Sequence, residues 1–279
     1  MIHRPQDIDW NDAYANGAHI PAAETFPPRW VAEAQAFRKR LASDGRSEID
    51  RAYGDEPREK LDLFYPTDKP AGLAVFVHGG FWKAFDKSSW SHLAAGPLAH
   101  GWAVGLPSYT LCPDASISQI TRQIGAAIGC AADIVSGPIC LAGHSAGGHL
   151  VSRMNCTDGP LGDAVRDRLR HTISISGLHD LRPLMKTGMN EIFGLDLAEA
   201  RTESAALCEP LDHARLTCWV GANERPEFLR QNELLVQMWT GLAAGISSVI
   251  EPDKHHFDVI ESLAEPKGAL TTALLSEHA

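Results

Sequence analysis

Ile139-Cys140-Leu141-Ala142-Gly143-His144-Ser145-Ala146-Gly147-Gly148-His149-Leu150 is the stretch on which the reading of this chain turns. An apolar, strand-like run at 139–142 meets a Gly-x-Ser-x-Gly turn, and a helical pattern follows to about Asn155. A serine between a strand and a helix occupies a strained turn whose neighbours must be small. Gly143 and Gly147 meet that demand, and Gly148 extends the clearance. The N-terminus of the following helix favours negative charge developing beside it. Strand before and helix after separate this stretch from a chance match, and they make Ser145 a candidate nucleophile.

Outward from the turn, strand and helix signals alternate. Upstream lie strands at 61–65, 73–78 and 103–106, with helices at 88–100 and 116–135. Downstream lie strands at 171–176, 216–220 and 247–250, with helices at 226–242 and 257–275. Proline at the first turn of 226–242 suits a helix start. The alternation predicts an α/β fold, a mostly parallel central sheet with helices on both faces. Loops at the carboxyl ends of such strands build the site. The irregular segment 178–210 is a candidate lid or cap over it. Residues 1–60 differ. Pro5, Pro21 and Pro27 mark 1–27 as loop, and Trp30, Ala34, Phe37 and Leu41 recur at helical spacing within 28–42. The expected organisation is an N-terminal arm, 1–60, packed on a body, 61–279.

The composition narrows the partners. A net charge of −10 argues against nucleic acid and anionic membranes, which demand a basic surface. The start, Met1 to Trp10, is polar and lacks the apolar region of a secretory signal, and no apolar run would span a bilayer. The six cysteines are scattered without a C-x-x-C pair and read as buried free thiols of a cytoplasmic protein. Without H-E-x-x-H, a cysteine cluster, a P-loop or an early G-x-G-x-x-G, neither a metal nor a nucleotide cofactor is expected. The expected partner is a small-molecule substrate, and a homodimer is the assembly the sequence leaves room for.

His78-Gly79-Gly80-Phe81-Trp82 ends an earlier strand. Its glycines let the backbone approach a ligand, so the N–H groups of Gly80 and Phe81, with that of Ala146, are candidates to stabilise an oxyanion. His78 reads as a structural residue of this loop. The general base must come from thirteen histidines. His255 and His256 alone follow a late strand, and His256, directly before Phe257, is preferred. His144 and His149 flank the serine and read as packing or pocket residues. The acid is expected after the penultimate strand, where Glu224 stands in the turn before a helix; Asp180 is its rival, and Asp253 lies too close to His256 in sequence.

His78-Gly79-Gly80-Phe81-Trp82, Pro107-Ser108-Tyr109-Thr110-Leu111-Cys112-Pro113 and Gly143-His144-Ser145-Ala146-Gly147-Gly148-His149-Leu150 together resemble the esterase/lipase branch of the α/β-hydrolases. With Leu61-Asp62-Leu63-Phe64-Tyr65-Pro66 and Pro226-Glu227-Phe228-Leu229-Arg230-Gln231, the resemblance narrows to the kynurenine formamidase (arylformamidase) group, over about residues 60–260. It implies the α/β-hydrolase fold, a triad of Ser145, Glu224 and His256, and removal of formate from N-formyl-L-kynurenine. The family usually has aspartate where Glu224 stands. Trp82 and Tyr109, with Phe81, are candidates to contact the aryl side of the substrate. Carboxylesterase or thioesterase activity uses the same machinery, and a non-catalytic binding protein on this fold is the contrasting reading.

Overall fold

The computed structural model describes residues 8–276. The start of the chain through Asp7, with Pro5, lies outside the described residues. One eight-stranded sheet runs in the order β1-β2-β4-β3-β5-β6-β7-β8. Its strands are β1 Ser47–Ala52, β2 Lys60–Phe64, β3 Leu73–Val77, β4 Ala103–Pro107, β5 Ile139–His144, β6 Leu169–Ile175, β7 Arg215–Gly221 and β8 Gly245–Glu251. β2 pairs antiparallel with both β1 and β4, and the other pairs are parallel. The expected α/β architecture, parallel in its centre, is the one observed.

Strand pleating explains why the central strands read as unbroken apolar runs. In β3, Leu73, Val75 and Val77 enter the core on one face, while Ala74 and Phe76 enter the core on the other. Ile120, Ile124 and Ile128 of the helix Ile117–Ile134, with Leu150 of the helix Ala146–Arg153, cover the first face. Trp30, Phe37 and Leu41 of the helix Phe26–Ser43 cover the second, with Leu270 and Leu274 of Ala269–Leu275. Side chains of this size contribute about 1.5–3 kcal/mol each when fully buried. The helix Pro226–Trp239 packs Leu235 and Trp239 on Leu216 and Cys218 of β7.

Local chemistry sets the boundaries. Ser116 and Gln119 form a capping box ahead of Ile117–Ile134, so the helix expected at 116–135 starts where its cap dictates. The helix expected at 88–100 is instead two 3-10 turns, Lys87–Ser89 and Ser91–Ala94, then a short helix, Ala95–Ala99. Between the turns Trp90 is buried against Trp30, their rings 4.6 Å apart, and its φ of −123° breaks the helical run. The helix expected at 257–275 reduces to a 3-10 turn, Glu261–Leu263, and the helix Ala269–Leu275. Pro266 and Gly268 separate them, and a Cβ on Gly268 would lie 1.8 Å from the Ser262 carbonyl oxygen.

The sheet also begins earlier than residue 61. β1 lies inside the segment read as an arm and forms the antiparallel edge. Asp62 of β2, fully buried, ties these pieces together. It meets Arg38 of the helix Phe26–Ser43, accepts from the N–H of Asp50 at 2.9 Å and lies 3.3 Å from Lys87 Nζ. All six cysteines are free. Among the described residues no helix is long and apolar enough to cross a membrane.

Candidate active site

Ser145 joins β5 to the helix Ala146–Arg153 with φ 56° and ψ −115°. A positive φ in a non-glycine residue costs about 1–3 kcal/mol and persists only where the surroundings over-determine it. Here the Ser145 N–H donates to the Ile175 carbonyl at 2.8 Å, and the Ser145 carbonyl accepts from the His149 N–H at 3.1 Å. The flanking glycines permit close approach. A Cβ on Gly147 would lie 1.9 Å from the Val77 carbonyl oxygen, and one on Gly143 would lie 2.2 Å from that of Gly147.

β7 ends at Gly221 and the next turn presents Glu224; β8 ends at Glu251 and the next loop presents His256. The two meet: His256 Nδ1 donates to Glu224 Oε2 at 2.6 Å. The other carboxylate oxygen accepts from the Ser176 hydroxyl at 2.5 Å and from the Gly221 N–H at 3.0 Å. Ser145, Glu224 and His256 are all buried, and Ser145 and His256 line one cavity. Glutamate's longer reach is accommodated because Ser176 and Gly221 hold its far oxygen.

His144 Nε2 donates to the His256 carbonyl at 2.8 Å. Burial above all, with His256 close by, pushes its pKa well below the ordinary imidazole range. His144 is thus a neutral support for the His256 backbone. His255 turns to Asp258, with Nδ1 3.1 Å from Oδ1, and to the Phe26 ring. Asp180 is engaged elsewhere. Its oxygens accept from Arg182 at 2.8 and 2.9 Å. Burial works to raise its pKa, but the hydrogen bonds and charge of Arg182 win and lower it.

Gly79, Gly80 and Phe81 line the cavity with Ser145. Gly80 has φ 111° and Phe81 φ 48°, and among the described residues neither N–H has a protein acceptor. Two backbone donors are thereby left free at the serine, where a developing oxyanion would need them. His78 holds this loop from beneath. Its ring stacks on Tyr109 at 4.5 Å, Nδ1 lies 2.8 Å from the Gly79 carbonyl oxygen, and burial lowers its pKa to about 4.

Trp82 and Tyr109 are not where a substrate contact is needed. Trp82 is fully buried between His149 and Phe193, and Tyr109 is fully buried with its hydroxyl donating to the His78 carbonyl at 3.0 Å. Neither lines the Ser145 cavity. That cavity, about 350 Å³, is walled by Trp30, Phe81, Phe85, Trp90 and Phe257, with Met189 from the 178–210 segment. Residues 14–18 of the arm form part of its wall, which no periodicity in that short stretch announced. A larger cavity of about 500 Å³, among Trp102, Pro138, Leu169 and Arg215, holds none of the predicted site residues.

Comparison with known proteins bears on the fold and the family. A model described as the alpha/beta hydrolase family matches residues 74–270. The kynurenine formamidase of Danio rerio is 30% identical over 258 residues, 88% of this chain and 86% of that protein. That of Salmo salar is 32% identical over 240 residues, 80% of this chain and 79% of that protein. A crystal structure from Silicibacter sp. TM1040, described as a proposed thioesterase, is 50% identical with a TM-score of 0.92, covering 96% of this chain and all of that one. Esterase B of Lactobacillus rhamnosis shares the fold at 16% identity, with a TM-score of 0.64 over 88% of this chain and 93% of that one. By likeness along most of its sequence, the chain belongs to the alpha/beta hydrolase family, as a relative of the kynurenine formamidases.

Proposed function

We propose that this hydrolase removes a small acyl group, formyl above all, from an aryl amine, with Ser145 as nucleophile, His256 as base and Glu224 as the acid that orients it. The observation that carries the reading is the 2.6 Å bond from Glu224 to His256, which lines one cavity with Ser145. In this mechanism His256 takes the Ser145 hydroxyl proton as Oγ attacks the acyl carbon. The N–H groups of Gly80, Phe81 and Ala146 receive the negative oxygen. His256 then protonates the departing arylamine. Water, deprotonated by the same ring, cleaves the formyl-serine to formate. Glu224 stays ionised throughout and stabilises the imidazolium.

A formyl group needs little space on the acyl side. The aromatic wall of Trp30, Phe81, Trp90 and Phe257 suits an aryl leaving group. The kynurenine formamidases of Danio rerio and Salmo salar support this choice. A thioester or ester substrate is the second reading, favoured by the 50% identity to the structure described as a proposed thioesterase. Measuring kcat/KM on N-formyl-L-kynurenine, acetyl-CoA and p-nitrophenyl acetate separates them. The formamide is expected to be preferred; turnover of the ester or thioester alone would overturn the formamidase reading.

A further inference from the structure

Two thiols that the acyl chemistry leaves unused lie side by side. Cys156 follows the helix Ala146–Arg153, and Cys208 directly follows the 3-10 turn Ala205–Leu207 in the 178–210 segment. The backbone brings these stretches together. Cys156 pairs with Pro210 in an antiparallel bridge; the Thr157 N–H donates to the Glu209 carbonyl at 2.9 Å, and the Leu211 N–H to the Asn155 carbonyl at 2.8 Å. The two sulfur atoms and a carboxylate oxygen of Asp158 all lie within 4.8 Å of one another.

The two sulfurs differ in setting. Cys156 is fully buried, and burial above all pushes its thiol well up. Cys208 is half-buried and lines an open pocket of about 410 Å³ with Thr157, Asp158, Arg201 and Thr202. A hydrogen bond from Cys156 lowers the pKa of Cys208 against the effect of burial, and the charge of Arg153 adds to it. A thiol that is reachable and more easily ionised is the one that attacks; its buried neighbour is placed to resolve. The Arg153 guanidinium holds both oxygens of Asp158, at 2.8 and 3.0 Å. A cation seated between the sulfurs and Asp158 would have to displace it, so the cluster suits thiol chemistry better than a metal ion.

We propose that Cys208 and Cys156 form an oxidisable pair, in which Cys208 reacts with a hydroperoxide and Cys156 closes a disulfide that ties the 178–210 segment to the end of the helix starting at Ala146. The Cys208 sulfur attacks one peroxide oxygen. The S–O bond forms, the O–O bond breaks, and the departing oxygen leaves as water or an alcohol with the Cys208 proton. The Cys156 sulfur then attacks the Cys208 sulfur. The S–S bond forms, the S–O bond breaks, and the sulfenic oxygen leaves as water with the Cys156 proton. Electrons and protons lost by the pair are those the peroxide gains. The segment already rests on that helix, where the Glu203 carbonyl accepts from His149 Nε2 at 2.8 Å, and its Met189 lines the Ser145 cavity.

The test treats the wild type with excess hydrogen peroxide, alkylates the remaining thiols and maps all six cysteines by peptide mass spectrometry. A bridged Cys156–Cys208 peptide that dithiothreitol reverses is expected, with the buried Cys140 and Cys218 left reduced. Before oxidation, iodoacetamide should modify Cys208 at least about tenfold faster than Cys140 or Cys218. Cys208→Ser should abolish oxidation of Cys156. Cys156→Ser should stall Cys208 at the sulfenic acid, trapped as its dimedone adduct, and Cys156→Ala serves if the serine variant folds poorly. Hydrogen exchange over residues 203–211 should slow when the wild type is oxidised, and not in Cys208→Ser. A Cys208 that stays reduced, or passes to sulfinic acid in the wild type without pairing, would overturn the pair. A bridge that leaves exchange unchanged would overturn the tether.

Discussion

His256 Nδ1 donates to Glu224 Oε2 at 2.6 Å, and the second oxygen of the same carboxylate is held by Ser176 and by the Gly221 N–H. Glu224 therefore fixes the imidazole tautomer that leaves Nε2 free to take a proton. Glu224→Gln keeps the size but loses the charge, and should lower kcat by roughly 10³–10⁴-fold with little change in melting temperature. Asp180→Ala should leave kcat near wild type, because Asp180 is spent on Arg182. Steady-state kinetics on both variants decide it, and an inactive Asp180→Ala beside an active Glu224→Gln would reassign the acid.

The nucleophile has its own chemical check. A fluorophosphonate should label the wild type on one serine and leave Ser145→Ala unlabelled, with intact-protein and peptide mass spectrometry as the readout. Equal labelling of the variant would place the nucleophile elsewhere, and no labelling of the wild type would favour a non-catalytic binding protein.

Two glycines separate packing from propensity. A Cβ on Gly147 would meet the Val77 carbonyl oxygen at 1.9 Å, backbone that cannot swing aside. Gly147→Ala should destabilise by about 3 kcal/mol or more, or fail to fold. A Cβ on Gly129, inside the helix Ile117–Ile134, meets nothing within 4 Å. Gly129→Ala should stabilise by about 0.5–1 kcal/mol. Urea melts of the two variants should move in opposite directions, and a stabilised Gly147→Ala would contradict the elbow geometry.

The candidate site was legible in sequence where chemistry and chain order constrain each other. Ser145 needed a strand, a helix and small neighbours, and those signals are local. His256 and Glu224 followed from their places after the last two strands, and the structure brings the pair together. Other features had no local signal. β1, Ser-Glu-Ile-Asp-Arg-Ala, is a solvent-facing edge without an apolar alternation to announce it. Trp82 and Tyr109 sit beside the loop motif in sequence, yet whether an aromatic ring faces a cavity or the core is decided by tertiary packing. The helices expected at 88–100 and 257–275 break where Trp90 is drawn against Trp30 and where Pro266 and Gly268 interrupt the pattern. Residues 14–18 reach the cavity where Tyr14 docks on Glu227, a contact between residues far apart in the chain.

Stability should fall on mild acidification. Burial lowers the pKa of His78 to about 4 and of His149 and His179 to about 3, and pushes that of His144 well down. These rings stay neutral in the fold, whereas the unfolded chain protonates them near 6.5. The unfolded state thus binds more protons below pH 6.5, and stability drops as pH falls from there towards the folded pKa values. Each such ring adds a slope of up to about 1.4 kcal/mol per pH unit. Urea unfolding at pH 7.5, 6 and 5 should show a shallow change first and a steeper one after. A flat profile would mean that these rings carry protons in the native state.

Tyr14 links the arm to the body and should govern binding more than chemistry. It is buried, and its hydroxyl donates to Glu227 Oε1 at 2.8 Å and accepts from Gln231 Nε2 at 3.3 Å. Glu227 keeps Arg230, at 2.6 and 2.8 Å, when that hydroxyl is removed, so no carboxylate is left bare. Tyr14→Phe should therefore cost only about 1–2 kcal/mol, and the loss should be felt first in the arm it anchors. Because residues 14–18 wall the Ser145 cavity, KM for aryl substrates should rise a few-fold while kcat changes little. Hydrogen exchange across residues 10–20 should quicken at the same time. Faster exchange with an unchanged KM would detach the arm from substrate binding.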